Sequence, residues 1–428
     1  MLEISQWRQQ LTALYGTAPA ALAKQTRRYQ ILIQEFQQRF QSLPIDLFSA
    51  PGRTEIGGNH TDHHRGKVLA ASINLDSIAA AAPIADQCIT VYSQGYDEPF
   101  VIDLNDLEPR GLERWTTPAL IRGITARFQQ LGYQVGGFKA CIASEVMVGS
   151  GLSSSAAFEV LIGTILNTFY NENTVAALGL AQIGQYAENV YFGKPCGLMD
   201  QIACATGGLV AVDFANPQQP RLEKIDFDFA KANYCLLVVD TGGQHADLTE
   251  DYAAIPREMQ AVARQFGKNF CREIGRDEIL NNIPQLRAQV GDRAVLRALH
   301  FFDENERVDR EIAALRAGDF TAFLRAVNAS GHSSLCWLQN CFTPQKVTEQ
   351  GITLALALTE NFLTARGEGA CRVHGGGFAG TIQVFLPKKF VADYTELMES
   401  VFKPGSVQVL SIRPVGPMAW AYRFGSER

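Results

Sequence analysis

What the chain lacks narrows the field first. No apolar run among its 428 residues approaches the length of a membrane span, so no membrane partner is expected. No block of Lys or Arg interrupts a formal net charge of −6, which argues against a nucleic-acid partner. No C-x-x-C pair occurs. The nine cysteines, an odd number, are scattered at 88, 141, 196, 204, 235, 271, 336, 341 and 371, mostly inside apolar runs. Reduced buried thiols in a cytoplasmic protein are the natural reading. Residues Met1-Leu2-Glu3-Ile4-Ser5-Gln6-Trp7 contain neither a basic n-region nor an apolar h-region, so no secretion signal is expected. There is no internal repeat and no low-complexity tract. The length accommodates two domains with substantial cores.

Apolar residues recur at helical spacing over 27–43, at Tyr29, Leu32, Ile33, Phe36, Phe40 and Leu43. Residues 1–26 read as a separate helical extension. From Phe48 the pattern turns to short β-rich runs at 68–75, 77–83, 88–93 and 100–104. A helix over 118–131 precedes a strand over 138–146, and helices follow over 156–170 and 175–191. The polar, proline-bearing link Asn216-Pro217-Gln218-Gln219-Pro220 marks the expected boundary between a domain over 27–216 and one over 217–428. Beyond it come a buried strand at 235–240, several helices, a strand at 381–386, a last helix and two strands. Helices and strands alternate without a regular βαβ period, which makes the fold class α+β.

Against that background the run from Val148 through Gly149, Ser150, Gly151, Leu152, Ser153, Ser154, Ser155, Ala156 and Ala157 stands out. It joins a glycine-rich turn and three hydroxyls to the apolar start of a helix. Glycines let backbone approach a ligand, and a helix N-terminus offers unpaired N–H groups, so the run suits a phosphate. No Lys follows the second glycine, which excludes a Walker A loop. A serine-capped helix behind a flexible loop fits the same residues.

Four further places carry chemistry. Residues 50–64 set Arg53, Glu55, Asn59, His60, Asp62, His63 and His64 between glycines directly after a strand, as binding loops do. An Asx-rich surface turn is the plain alternative. A metal site is disfavoured, since adjacent histidines rarely reach one ion and no distant His/Cys pair completes a set. In Cys196-Gly197-Leu198-Met199-Asp200-Gln201 the carboxylate of Asp200 is either a helix cap or a functional base. Glu188 lies twelve positions earlier on a helix, where most glutamates are solvated. Gly375-Gly376-Gly377-Phe378-Ala379-Gly380 permits close backbone approach to a ligand or a strand. Together these pieces describe phosphoryl transfer: an anion cradle, hard oxygen ligands for Mg²⁺, a carboxylate near an acceptor hydroxyl, and Arg53 to offset charge.

Three motifs in order resemble those of the GHMP small-molecule kinases, and within them the galactokinases: Gly52-Arg53 through Gly58-Asn59-His60-Thr61-Asp62, the 148–157 loop, and Gly375–Gly380 preceded by Arg372. Cys196–Gln201, the helix of Glu188, and Tyr252 within Thr249-Glu250-Asp251-Tyr252 match as well, and the likeness runs over about 28–425. It implies two α+β domains with the active site in the cleft between them, and ATP-dependent phosphorylation of a monosaccharide at C1, galactose first. Asp200 and Arg53 would be catalytic. Asn59, His60, Asp62, Gly197 and Tyr252 would hold the sugar. Gly149, Ser150, Gly151, Leu152, Ser153, Ser154, Ser155, Ala156, Gly376 and Gly377 would hold ATP, and Ser154 or Ser155 with Glu188 would hold Mg²⁺. The chain departs from the family at Glu55 and Asn59, where galactokinases carry Asn and Glu. It also carries Met147 before the loop, Cys336-Trp337-Leu338-Gln339 at an acidic stretch, and Val373-His374 before the third motif. In the family the Glu faces the sugar C6 hydroxyl. Asn59 can bond there without repelling a carboxylate, which admits galacturonate or another aldose as an alternative substrate. A catalytically silent sugar sensor is the alternative outside catalysis.

Overall fold

The computed structural model describes residues 4–41, 44–147, 149, 151–243 and 248–422. Helices α1 (Ile4–Tyr15) and α2 (Pro19–Phe40) come first, then strands β1 (Ile45–Gly57), β2 (Lys67–Ile84), β3 (Cys88–Ser93) and β4 (Phe100–Asp103). Next are α3 (Thr117–Gln130), β5 (Gly137–Ser144), α4 (Ser154–Tyr170), α5 (Ala177–Tyr186), α6 (Met199–Thr206), β6 (Leu209–Asp213) and β7 (Arg221–Ile225). Strands β8 (Tyr234–Asp240), β9 (Ala370–His374), β10 (Thr381–Pro387) and β11 (Val407–Leu410) make a second, antiparallel sheet in the order β11-β8-β10-β9. Between β8 and β9 run α7 (Thr249–Gln265), α8 (Arg276–Asn281), α9 (Ile283–Val290), α10 (Asp292–Ala317), α11 (Phe320–Ser333) and α12 (Gly351–Thr364); α13 (Val391–Val401) follows β10. The last strand, β12 (Met418–Tyr422), returns to the first sheet, whose order is β12-β1-β2-β5-β3-β4, with β6 paired to β2 and β7 to β6. The class is α+β, as expected.

Helices α3 to α6 cover one face of the first sheet with a continuous apolar core. That core includes Ile121, Ile124, Val160, Leu161, Ile165 and Ile202, all fully buried. Each such side chain contributes about 1.5–3 kcal/mol by leaving water. On the other face α1 and α2 lay down Trp7, Leu11, Tyr29, Leu32, Ile33 and Phe36. The extension expected over 1–26 is therefore not separate: α2 is one helix from 19 to 40, and its apolar stripe seals the sheet.

Two strands expected at 68–75 and 77–83 are one, β2. Asp76 interrupts the apolar pattern but not the strand, because its charge is fully answered. Arg28 Nη1 lies 2.5 Å from Oδ1 and Arg413 Nη1 3.1 Å from Oδ2, and Tyr15 and Ser49 donate their hydroxyls to Oδ2. Burial pushes this carboxyl up, and the two arginines outweigh burial and hold it below the ordinary carboxylate value. The link at 216–220 joins β6 to β7 within the first sheet; the chain passes to the second sheet between β7 and β8 and returns to the first at β12.

Candidate active site

The site grows from irregularities in β1. Its register with β2 shifts between Pro51 and Arg53 and again between Glu55 and Gly57, as bulges do where a strand re-aims a side chain. Arg53, 5% exposed, sends Nε and Nη2 to Asp200 Oδ1 and Oδ2 at 2.7 and 2.8 Å and Nη1 to the Gly151 carbonyl. Its own N–H donates to Leu152 O at 3.1 Å. Ser153, with φ 57°, gives its hydroxyl to Asp200 Oδ2 and makes no helix-capping bond. Asp200 in turn makes no side-chain cap on α6. Both serine-cap and carboxylate-cap readings therefore fall. Burial raises the Asp200 carboxyl, and Arg53, with help from Ser153, overcomes burial and holds it below its ordinary value. Asp200 is charged, and its side chain stays 29% exposed.

Beside this pair lies Glu188, in a π-helical turn over Ala187–Phe192 that continues α5. Its carboxylate is not solvated. Oε1 accepts from Ser155 Oγ and Lys194 Nζ, both at 2.9 Å, and Oε2 from Gln201 Nε2 at 2.9 Å. Gln201 also donates to Glu159 Oε2 at 3.0 Å. Burial, then the nearby Glu188 charge, pushes the Glu159 carboxyl well above the carboxylate range, so Glu159 is neutral. Ser155, not Ser154, carries the hydroxyl bound to Glu188. Among the described residues no group of three or more His, Cys, Asp and Glu side chains is placed to hold a metal. A serine hydroxyl beside a carboxylate supplies hard oxygen donors that suit Mg²⁺, which takes few protein ligands and completes its shell with phosphate and water, although Lys194 would have to yield Oε1 to it.

The loop after β1 closes the other side. His60, at φ 58°, donates Nε2–H to Gly376 O at 2.8 Å, and burial holds its imidazole down at about 4. The Asp62 carboxylate lies against Gly197 so closely that a Cβ there would strike it. Tyr252 donates its hydroxyl to Gly377 O at 2.9 Å and covers Gly376 with its ring. Gly376 and Gly377, expected to hold ATP, lie against the 53–62 loop and Tyr252 in this structure. Gly375 lies against the serine loop at Gly151.

Asn59 departs from expectation. It is fully buried, with Nδ2 donating to Glu55 Oε1 at 2.9 Å and Gly375 O at 2.7 Å while Oδ1 accepts from Asn340 at 2.8 Å. Glu55 completes the exchange by pairing with Arg372 Nη2 at 2.5 Å. The amide is used up in holding the loop to the third glycine motif. His64 is also internal: Nε2 donates to Pro256 O at 2.8 Å and Nδ1 accepts from Cys271 N–H at 3.2 Å, with burial holding the ring down at about 4.

With the geometry in place, comparison with known proteins is decisive. The model of the GHMP kinases N terminal domain matches residues 119–208, and the galactokinase galactose-binding signature matches 34–83. The galactokinase of Streptomyces coelicolor is 30% identical over 401 residues, spanning 91% of this chain and 97% of that protein. The chain belongs to the galactokinase family. It is a sugar kinase. The human galactokinase is likewise 30% identical, over 388 residues, covering 88% of this chain and 91% of its own. The crystal structure of Lactococcus lactis galactokinase complexed with galactose superposes with a TM-score of 0.77 at 24% identity, across 91% of this chain and 99% of that one, and shows the common fold.

Of the expected residues this galactokinase-family chain brings together Arg53, Asp200, Gly151, Leu152, Ser153, Ser155 and Glu188 on one wall. His60, Asp62, Gly197, Tyr252, Gly376 and Gly377 form the other. Gly149 takes φ 76° and Ala156 is buried at the start of α4; Ser150 lies outside the described residues. Sequence reasoning missed Lys194, Gln201 and Asn340. Gln201 stood inside a quoted motif, and Lys194 is the lone cation in the turn just ahead of it. Asn340 carries no local signal.

Proposed function

We propose that this chain transfers the γ-phosphoryl group of ATP to the C1 hydroxyl of galactose. The bidentate Arg53–Asp200 pair carries the reading: it lies between the serine loop and the loop of His60 and Asp62, where donor and acceptor meet. Asp200 accepts the C1 hydroxyl proton, and the freed oxygen attacks the γ-phosphorus. The bond to the β,γ-bridging oxygen breaks and ADP leaves with its electron pair. A carboxylate held below its ordinary value is a weak base, so its larger contribution is to hold the hydroxyl in line. Arg53 keeps Asp200 charged and fixed. Asp62 takes ring hydroxyls, and Tyr252 closes over them. Ser155 and Glu188 would hold Mg²⁺, which neutralises phosphate charge. Backbone N–H groups of the serine loop and α4 bind the phosphates. The reaction belongs in the cytoplasm, where reduced thiols persist.

The test is ATP consumption with Mg²⁺ against galactose, galacturonate, glucose, arabinose, N-acetylgalactosamine and galactosamine, with ³¹P NMR placing the new phosphate. Fast turnover of galactose to a C1 phosphate is expected. Preference for galacturonate replaces the substrate and leaves the chemistry standing. ATP bound without turnover of any sugar overturns the reading in favour of a sensor.

A further inference from the structure

Lys194 takes no part in the mechanism above, yet its ammonium stands among the charges of the cleft. The backbone puts it there. Gly193 ends the π turn at φ 89°, and the N–H groups of Gly193 and Lys194 both donate to the Glu188 carbonyl, at 3.0 and 3.1 Å. The side chain then folds back until Nζ lies 2.9 Å from Glu188 Oε1, the oxygen that also accepts from Ser155.

Two features set Lys194 apart from a simple counter-ion. Glu188 is satisfied without it, since Ser155 bonds one oxygen and Gln201 the other. Its side chain is 47% exposed where that of Glu188 is 3% exposed, so the lysine stem lies at the protein surface while its ammonium is paired with Glu188 Oε1. Burial raises both Asp200 and Tyr252, and the Lys194 charge is among those that oppose burial at each. One ammonium therefore acts on the metal-ligand pair, on the proton acceptor and on the tyrosine that closes the cleft.

A divalent cation on Glu188 competes with an ammonium for Oε1, and lysine's four-carbon stem lets the displaced charge turn toward another anion. The nearest anion to arrive is the terminal phosphoryl group of the nucleotide. We infer that Lys194 is a phosphate-contacting residue, which rests on Glu188 in the nucleotide-free protein and passes to the γ-phosphoryl oxygens when the magnesium nucleotide binds. This rests on the proposal that the cleft transfers a phosphoryl group from ATP.

Lys194→Met and Lys194→Arg in the full chain test it. Calorimetry without sugar compares magnesium ADP with the magnesium complex of the β,γ-imido analogue of ATP, and thermal melting reports the fold. A lost charge-assisted contact to the γ-phosphoryl should weaken the triphosphate analogue about tenfold or more, with ADP changed by less than about twofold. Lys194→Arg should recover most of that affinity, and neither variant should lower the melting temperature. In turnover, kcat falls while KM for the sugar holds. Equal weakening of diphosphate and triphosphate, unchanged affinity for both, or a melting temperature that drops together with every affinity overturns the inference. The proposed reaction can fail separately. If the unsubstituted protein phosphorylates no sugar, the nucleotide titrations still decide the role of Lys194. If it binds no magnesium triphosphate, both fall together.

Discussion

Removing the carboxylate in Asp200→Ala tests the proton acceptor, and the geometry sets how large the effect should be. Burial alone would make Asp200 a stronger base, but Arg53 and Ser153 hold it below its ordinary value. General-base catalysis usually contributes about 10²–10⁴-fold, and a weak base belongs at the lower end, about 10²–10³ in kcat or about 3–4 kcal/mol of barrier. A second cost falls on the fold, since among the described residues the Arg53 guanidinium keeps a hydrogen bond to the Gly151 carbonyl alone once its partner is gone. Breaking a fully buried pair costs about 3–5 kcal/mol, but Asp200 is 29% exposed and solvent screens what remains, so about 1–2 kcal/mol is expected. The variant should stay folded, bind galactose by calorimetry, and lose about 10²–10³-fold in a coupled ADP-release assay. The unsubstituted enzyme should show a matching pH profile. Its acceptor is charged at neutral pH and stays so down to the ordinary aspartate value of 3.8, so the acid limb of kcat lies below that point. Arg53→Met removes the largest opposition to burial, leaving Ser153 and Lys194, and moves the limb upward. Turnover by Asp200→Ala within about tenfold of the parent, below any general-base contribution, refutes the assignment.

Gly197→Ala places a methyl group against the Asp62 carboxylate. By overpacking it should destabilise the fold by about 1–3 kcal/mol and, by displacing Asp62, raise KM for sugar with nucleotide binding unchanged. His64 titrates at about 4 in the fold against an ordinary 6.5. Below pH 6.5 the unfolded chain takes the proton first, so stability falls as pH drops from 6.5 toward 4, by about 3 kcal/mol in all. His64→Gln should remove its share of that limb, leaving that of His60, in urea unfolding measured at pH 8 and pH 5. An unchanged slope would show that the ring does not stay neutral. Asp76→Asn leaves Arg28 and Arg413 without their shared charge and should destabilise by about 3–5 kcal/mol. Asp76 lies below its ordinary value of 3.8, so the stability it contributes is present above that pH and is lost as pH falls further. An unfolding free energy in urea lowered by less than about 1 kcal/mol, below the range for a broken buried pair, would mean the arginines find other partners.

The residues that declare themselves in the sequence share a trait: their local neighbours already need an explanation. Three serines after two glycines, or an aspartate behind Gly197 among apolar residues, ask for a ligand before any fold is known. What stayed hidden depends on distant closure. Asn59 reads as a substrate contact only if it faces the cleft, and its direction is decided by Glu55, Asn340 and the Gly375 carbonyl from three separate segments. Asp76 looks like a strand break because its arginines stand 48 and 337 positions away. The π turn that presents Glu188 has the same apolar spacing as the α-helix it continues, so periodicity cannot separate them. Lys194 is a single residue without a pattern, and only the folded turn discloses its neighbours.

The pairing of β12 with β1 bears on how the protein is made. Ile45–Ser49 find their outer hydrogen-bonding partners only in 418–422, and Asp76 receives Arg413 from the same late stretch. During synthesis the sheet that carries Arg53 keeps an unpaired edge, and Asp76 half its countercharge, until residues 413–422 have left the ribosome. Such an edge is a template for intermolecular pairing. A nascent chain, or one that stops before residue 413, should therefore depend on chaperone cover to a degree that the chain with that edge sealed does not.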